Sequence, residues 1–139
     1  MSDPRFSRRV MLLFAGCAGL MLVGCQSSVE KTRVTGTVKV DGKPVALGVI
    51  GFEPEVASEH SATAEIRDGV YAIDSPQGLR RISIMAYRPA KGLGPDGKPY
   101  QEQYLPAKFN LESDRTLEVD STPMVDQNFD LTLTDSKAK

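Results

Sequence analysis

From about residue 31 the chain alternates between apolar and polar positions. In "RVTGTVKV", Val34, Gly36, Val38 and Val40 fall on one side and Thr35, Thr37 and Lys39 on the other. That two-residue period is the mark of a half-buried strand. Asp41-Gly42 follows, a dipeptide suited to a tight hairpin turn. "ALGVIGFEP" predicts a second strand with Ile50 and Phe52 on one face. "SATAEIRDGVYAIDS" reads as a hairpin about Asp68-Gly69, with Ala62, Ala64 and Ile66 before the turn and Tyr71 and Ile73 after it. "LRRISIMAYRP" sets Ile82, Ile84 and Ala86 against Ser83, Met85 and Tyr87. "RTLEVD" and "QNFDLTLT" add two more strands, the last with Phe129, Leu131 and Leu133 on one face. No window after the N-terminal segment has a helical period. About seven short strands joined by Asp-Gly turns predict an all-β fold, an antiparallel seven-stranded β-sandwich over residues 32–135 with a short tail at 136–139. The first and last strands are expected at central positions.

One stretch breaks the pattern. Residues 89–114 contain Pro89, Pro95, Pro99 and Pro106 together with Gly92, Gly94 and Gly97, and they lack a clean strand. A structureless loop this long is unusual in a compact domain and is usually functional or mobile. It carries Tyr100, Tyr104 and Phe109, with Tyr87 just before it. These four aromatics are the candidate binding residues. The plainer expectation is that the loop folds over a sheet edge and uses its aromatics as a lid on the core. Leu105-Pro106 would then cover an open edge, since proline blocks further pairing.

The N-terminus has a different grammar. Arg5, Arg8 and Arg9 precede an apolar run at 10–23, which is too short for an ordinary membrane span of ~20 residues. A charged head followed by a short apolar run predicts a secretory signal peptide at 1–24. The run ends in Leu22-Val23-Gly24-Cys25 and turns polar at once. These four residues resemble the lipobox of bacterial lipoproteins. The resemblance implies recognition of Leu22, Val23 and Gly24 by a lipoprotein signal peptidase, cleavage before Cys25, and covalent diacylglyceryl and N-acyl lipid on Cys25. Cys17, after Phe14-Ala15-Gly16, fits that pattern less well. Ser7-Arg8-Arg9-Val10 also resembles a twin-arginine export signal; an ordinary charged head is the favoured reading. One acyl chain binds a bilayer only marginally, whereas two or three hold firmly. Residues 25–31 form a polar tether that spans roughly 25 Å when fully extended. Gln26 and Ser27 after the cysteine, with no Asp, favour the outer over the inner membrane by resemblance to lipoprotein sorting signals.

Composition narrows the rest. Of 139 residues, removing 1–24 leaves 115, enough for one domain with a working core. The whole chain has 17 basic and 18 acidic residues, and losing three arginines and Asp3 with the leader leaves a net charge of −3. That balance offers nucleic acid no basic footprint. The two cysteines are Cys17, which leaves with the leader, and Cys25, which is taken by lipid. The mature domain therefore has no disulfide, and its stability must come from packing.

Candidate chemistry is sparse. His60 is the only histidine and lies in a polar loop, "SEHSA". Asp41, Asp68 and Asp96 each precede Gly, which suits turns better than calcium ligation. Arg80, Arg81, Arg88 and Lys91 form a mild basic cluster, but Arg80 and Arg81 must face opposite sides of a strand. There is no Trp for a sugar-stacking platform and no glycine-rich phosphate loop. No metal site and no cofactor beyond the lipid on Cys25 are expected, and an enzyme is not.

"VTGTVKVDGKPVALGVIGFEP", "DGVYAI", "GLRRISIMAYRP" and "YLPAKFN" are similar to stretches of small bacterial lipoproteins, abundant in planctomycetes, that carry a carboxypeptidase-regulatory-like or transthyretin-like domain. The likeness covers nearly all of 34–134 and rests on structural rather than catalytic motifs. It departs from the family at Gly78-Leu79-Arg80-Arg81, at Gly48-Val49-Ile50-Gly51 and at Phe109, where Tyr is common. The resemblance implies a seven-stranded sandwich and a lipid-anchored place in the cell envelope. Transthyretin-like folds include a hydroxyisourate hydrolase with several histidines and a Tyr-Arg-Gly-Ser tail, but this chain ends "TLTDSKAK". The leading expectation is a non-enzymatic structural or protein-interaction module, held at a membrane and facing another envelope protein. A small-molecule or glycan binder using residues 89–114 is the alternative, and a hydrolase the second.

Overall fold

The computed structural model describes residues 29–56 and 59–136. The leader, Leu22, Val23, Gly24, Cys25, the first part of the tether and the last three residues of the tail lie outside the described residues. Nine strands follow in order: β1 (Lys31–Val40), β2 (Lys43–Pro44), β3 (Leu47–Pro54), β4 (Ala62–Arg67), β5 (Val70–Pro76), β6 (Gly78–Leu93), β7 (Pro99–Gln103), β8 (Thr116–Val119) and β9 (Phe129–Leu131). Two 3-10 turns, Ala107–Phe109 and Leu133–Ser136, are the helical content of the described residues.

The fold is all-β and almost entirely antiparallel. The strands join in one path, β2-β1-β5-β4-β3-β6-β7, with β8 also on β6 and β9 on β1. The path curls, because β4 and β5 share one registered pair, Arg67 with Val70, and splay apart beyond it. One limb is then β5, β1 and β9; the other is β4, β3, β6, β7 and β8. The parallel contacts join β1 to β9 and to Met124 in the segment before it. The strand count is nine rather than seven because residues 89–114 contribute a strand of their own and Lys43–Pro44 pairs back on β1.

Turn chemistry follows the Asp-Gly dipeptides. Asp41 (φ 48) with Gly42 (φ 77), and Asp68 (φ 50) with Gly69 (φ 80), place both central residues in the left-handed region. Those are type I′ turns, whose twist matches the flanking strands. Alternation holds as read. Val34, Val38, Ile50, Phe52, Ile66, Tyr71, Ile82, Ile84 and Ala86 are buried in one core. Phe52 and Tyr71 meet across it at 6.3 Å between ring centroids, and Phe129 stands 6.1 Å from Tyr71.

β1 takes the central place expected of the first strand, between β5 and β9. The last strand does not. β9 has only three residues and lies outside β1, and Leu133 belongs to a 3-10 turn packed against the core. The segment 120–128 runs beside β1 as a strap. Its Met124 and Gln127 exchange backbone hydrogen bonds with Arg33 and Thr35, and Asn128 Oδ1 accepts from Thr37.

The two ends of the fold differ. The near end carries Lys31, Pro54, Ala62, Pro76 and Val119, where the chain arrives from the tether. The far end carries Val40, Arg67, Tyr87 and Leu131. β6 runs the whole length and past it. Its 16 residues extend about 50 Å at roughly 3.3 Å per residue.

Candidate functional site

Beyond Tyr87 the partner of β6 changes. β3 begins at Leu47, opposite Tyr87, and the part of β6 beyond that point pairs with β7. The result is a two-stranded ribbon that projects past the far end. A turn closes it: Gly94 N–H donates to Lys98 O at 2.8 Å, Gly97 N–H to Gly94 O at 3.0 Å, and Asp96 Oδ1 accepts from Lys98 N–H at 3.2 Å. The expectation of a structureless loop over 89–114 is thereby corrected. The prolines that hid these strands sit where a missing N–H does no harm. Tyr104 N–H bonds Ala86 O, and this sets the phase of the ladder so that Pro99, Gln101 and Gln103 turn their backbone groups outward. By the same alternation Pro89 lies on the edge of β6 that β3 has left. Each free edge of the ribbon thus carries a proline, which discourages strand addition there.

Residues 104–115 then turn back along β6 and close the gap between β7 and β8. Ile82 N–H donates to Arg115 O at 2.8 Å, and Ser113 Oγ donates to Ile82 O at 2.6 Å. Leu105 and Phe109 point into the core and are 4% and 5% exposed. Asn110 Nδ2 donates to Pro106 O at 3.2 Å and pins the turn. Lys108 Nζ lies 4.8 Å and Arg115 Cζ 5.8 Å from the Phe109 ring centroid. Phe109 therefore closes the core, as a lid does.

The four aromatics do not converge. Tyr87 is on the outer face, its hydroxyl 3.7 Å from Met85 Sδ. Alternation along β7 puts Tyr100, Glu102 and Tyr104 on the opposite face. A shared pocket of Tyr87, Tyr100 and Tyr104 is not formed: Tyr87 is in register with Gln103 and shares its face, and pleating sends Glu102 and Tyr104, the residues either side of Gln103, to the other. Tyr100 is 53% exposed and lies across Gly92, where a Cβ would stand 3.4 Å from its ring. Tyr104 is half-buried under Arg88, whose Cζ is 5.5 Å from the ring centroid. Burial raises the Tyr104 hydroxyl pKa, Arg88 opposes that shift and Asp41 adds to it. Arg88 in turn bonds Glu102. The hairpin face turned toward the far end thus presents Tyr100, Tyr104 and an Arg88–Glu102 pair.

The basic cluster disperses. Arg81 pairs with Glu53 on the outer face, whose other oxygen accepts from Ser83. Arg80 faces the core side and is buried at the near end, bonded to Glu59 and to the backbone oxygen of His60. Arg80 and Arg81 do point to opposite sides. Sequence reasoning missed the company that Arg80 keeps, because Glu59 with His60 and Gln77 reach it from two separate connections, and Glu30 lines the same cavity from a third. Among the described residues no group of three or more His, Cys, Asp or Glu could hold a metal ion. No described helix is long and apolar enough to cross a membrane.

No protein-family model matches the chain, and no curated protein matches it in sequence. Among solved structures it is similar to a 9R-lipoxygenase from Cyanothece PCC8801, with 10% identity and a TM-score of 0.36. That match covers 74% of this chain but only 16% of the lipoxygenase. At that level it carries no argument about activity.

Proposed function

We propose that the protein is a lipid-anchored lipoprotein of the bacterial cell envelope, attached through Cys25, whose β-domain is a non-enzymatic interaction module. The outer membrane is the favoured attachment. The two limbs enclose one core and meet at a single registered pair, which supports the transthyretin-like sandwich as the finer description of the fold. The observation that carries the functional reading is directional. The tether enters at the near end, and the β6–β7 hairpin projects from the far one. A domain held at a membrane by its near end would present Tyr100, Tyr104, Arg88 and Glu102 away from the surface, toward an envelope partner. The prolines on both free edges favour recognition by the hairpin's face over strand addition.

The test has two parts. Intact mass of protein purified from membranes is compared with that of Cys25→Ala; a mass of residues 25–139 plus acyl chains, absent from the variant, is the expected result. A photo-crosslinking amino acid is then placed at Tyr100 and, as a control, at Glu118 near the tether. One defined envelope protein captured from Tyr100 alone supports the module. An unlipidated mass overturns the anchor, and equal or absent capture at the two positions overturns the hairpin as the contact surface.

A further inference from the structure

The near end holds a cavity of about 390 Å3. Glu30 and Val29 line it from before β1, Glu59 and His60 from before β4, Gln77 from the β5–β6 turn, and Arg80 from β6. Arg80 is the odd member. It lies in phase with Ile82, Ile84 and Ala86 on the core side of β6, and its side chain is 3% exposed. Nη1 lies 3.1 Å from Glu59 Oε2 and 3.3 Å from the His60 carbonyl oxygen, and Nη2 donates to the Gln77 carbonyl. Nε has no partner among the described residues. The carboxylate it meets among the described residues is half-exposed and sits on a connection, not a strand.

A buried cation held by two backbone carbonyls and one replaceable carboxylate is a poor way to hold a fold, since apolar residues in place of buried ion pairs are often neutral or stabilising. It is a good way to hold an oxyanion, which a planar guanidinium grips well. The same cavity carries the carboxylate of Glu30, whose neighbour is Gln77 Nε2 at 3.5 Å. Once an incoming oxyanion took Arg80, Glu59 and Glu30 would both be available to a positive group. One guanidinium beside two carboxylates fits a ligand with both charges.

We propose that this cavity takes a zwitterion bearing an oxyanion and a primary ammonium group, and that its occupant is the phosphoethanolamine head group of a bilayer lipid. The phosphate displaces Glu59 from Arg80; Glu30 and the freed Glu59 hold the ammonium. Val29 lies against the glycerol end. The choice of a lipid source rests on the proposed anchor, because the cavity stands at the end from which the tether leads back to Cys25. The pocket chemistry itself does not need the anchor.

His60 is the only histidine, so its imidazole gives one clean NMR signal at the cavity. The protein is purified from its native fraction, in a maltoside detergent if membrane-bound, and titrated with glycerophosphoethanolamine, glycerol 3-phosphate and ethanolamine. A saturable His60 shift is expected with the first, and binding about tenfold or more weaker with either half alone. Arg80→Met, which fills a similar volume, and Glu30→Gln at the surface are both expected to lose the shift while keeping their core signals. No shift with any compound, equal binding of glycerol 3-phosphate, or wild-type binding by Glu30→Gln overturns the site. In nanodiscs, phosphatidylethanolamine is expected to move the signal and phosphatidylcholine not. A site that binds the soluble compound but does not distinguish the discs overturns the lipid source alone. An unlipidated mass overturns the anchor and leaves the solution titration standing.

Discussion

Replacing Gly36 with Ala is expected to cost far more than its exposure suggests. A Cβ at position 36 would stand 2.0 Å from Gln127 O and 2.5 Å from its carbonyl carbon. Ordinary contact begins near 3.4 Å, so the strap must retreat by the difference, roughly 1.4 Å. Gln127 is held there by its N–H bond to Thr35 O at 3.0 Å, and its carbonyl accepts the buried Tyr71 hydroxyl at 2.7 Å. Overpacking costs about 1–3 kcal/mol, and stranding a buried hydroxyl adds about 1–3 kcal/mol. A stiffer unfolded chain returns about 0.4–1 kcal/mol. Net destabilisation of about 1–5 kcal/mol is the expected result of urea unfolding, read as a lower midpoint at unchanged slope. In a Tyr71→Phe background the same substitution should cost about 1 kcal/mol less, since no hydroxyl remains to strand. A Gly36→Ala protein within about 0.5 kcal/mol of wild type would refute the close approach of strap and strand.

Three more expectations can be measured together. Burial pushes the Tyr71 hydroxyl well above its ordinary value of 10.0, so the folded state keeps a proton that the unfolded state gives up. Stability should be intact below about pH 10 and fall as pH rises beyond it, by up to about 1.4 kcal/mol per pH unit. Tyr71→Phe should flatten that fall and leave the smaller part due to Tyr104, as followed by urea midpoints across the alkaline range. Phe109→Ala should destabilise by about 3–5 kcal/mol and speed hydrogen exchange at the Ile82 and Tyr104 amides, which bond Arg115 O and Ala86 O along the edge it closes; unchanged exchange would mean that Phe109 is no lid. Pro89→Val with Pro99→Val restores two outward N–H groups on the free edges and should drive edge-to-edge association, seen as a larger sedimenting species; a sedimentation profile like wild type would count against edge protection.

Much of the fold was legible because its signals are local. Strand pleating makes Val34 and Val38, or Ile82 and Ile84, face one way wherever the strand ends up. Asp-Gly prefers a type I′ turn whatever its surroundings. Both facts are settled within a few residues, so alternation and turns were read correctly. Residues 89–114 misled because proline and glycine signal a loop locally, while the harm done by a missing N–H depends on which edge it faces. That is a property of the ladder's phase, set by Tyr104 and Ala86, not of the proline itself. The face that Tyr100 shares with Tyr104 and not with Tyr87 follows from the same phase.

The sequence by itself determined an all-β chain, the apolar face of each strand, the Asp-Gly turns, and an N-terminus that resembles a lipoprotein signal. Those are read from side-chain period and from motifs only a few residues long. Only the tertiary structure decided that β1 lies between β5 and the strap, that Gly36 is required by Gln127, and that Arg80 is buried beside Glu59 in a cavity that Glu30 also lines. Each of these joins residues from separate stretches of the chain, and their meeting depends on how strands pair across the whole domain. A two-residue period says which side a residue faces; it says nothing about what stands opposite.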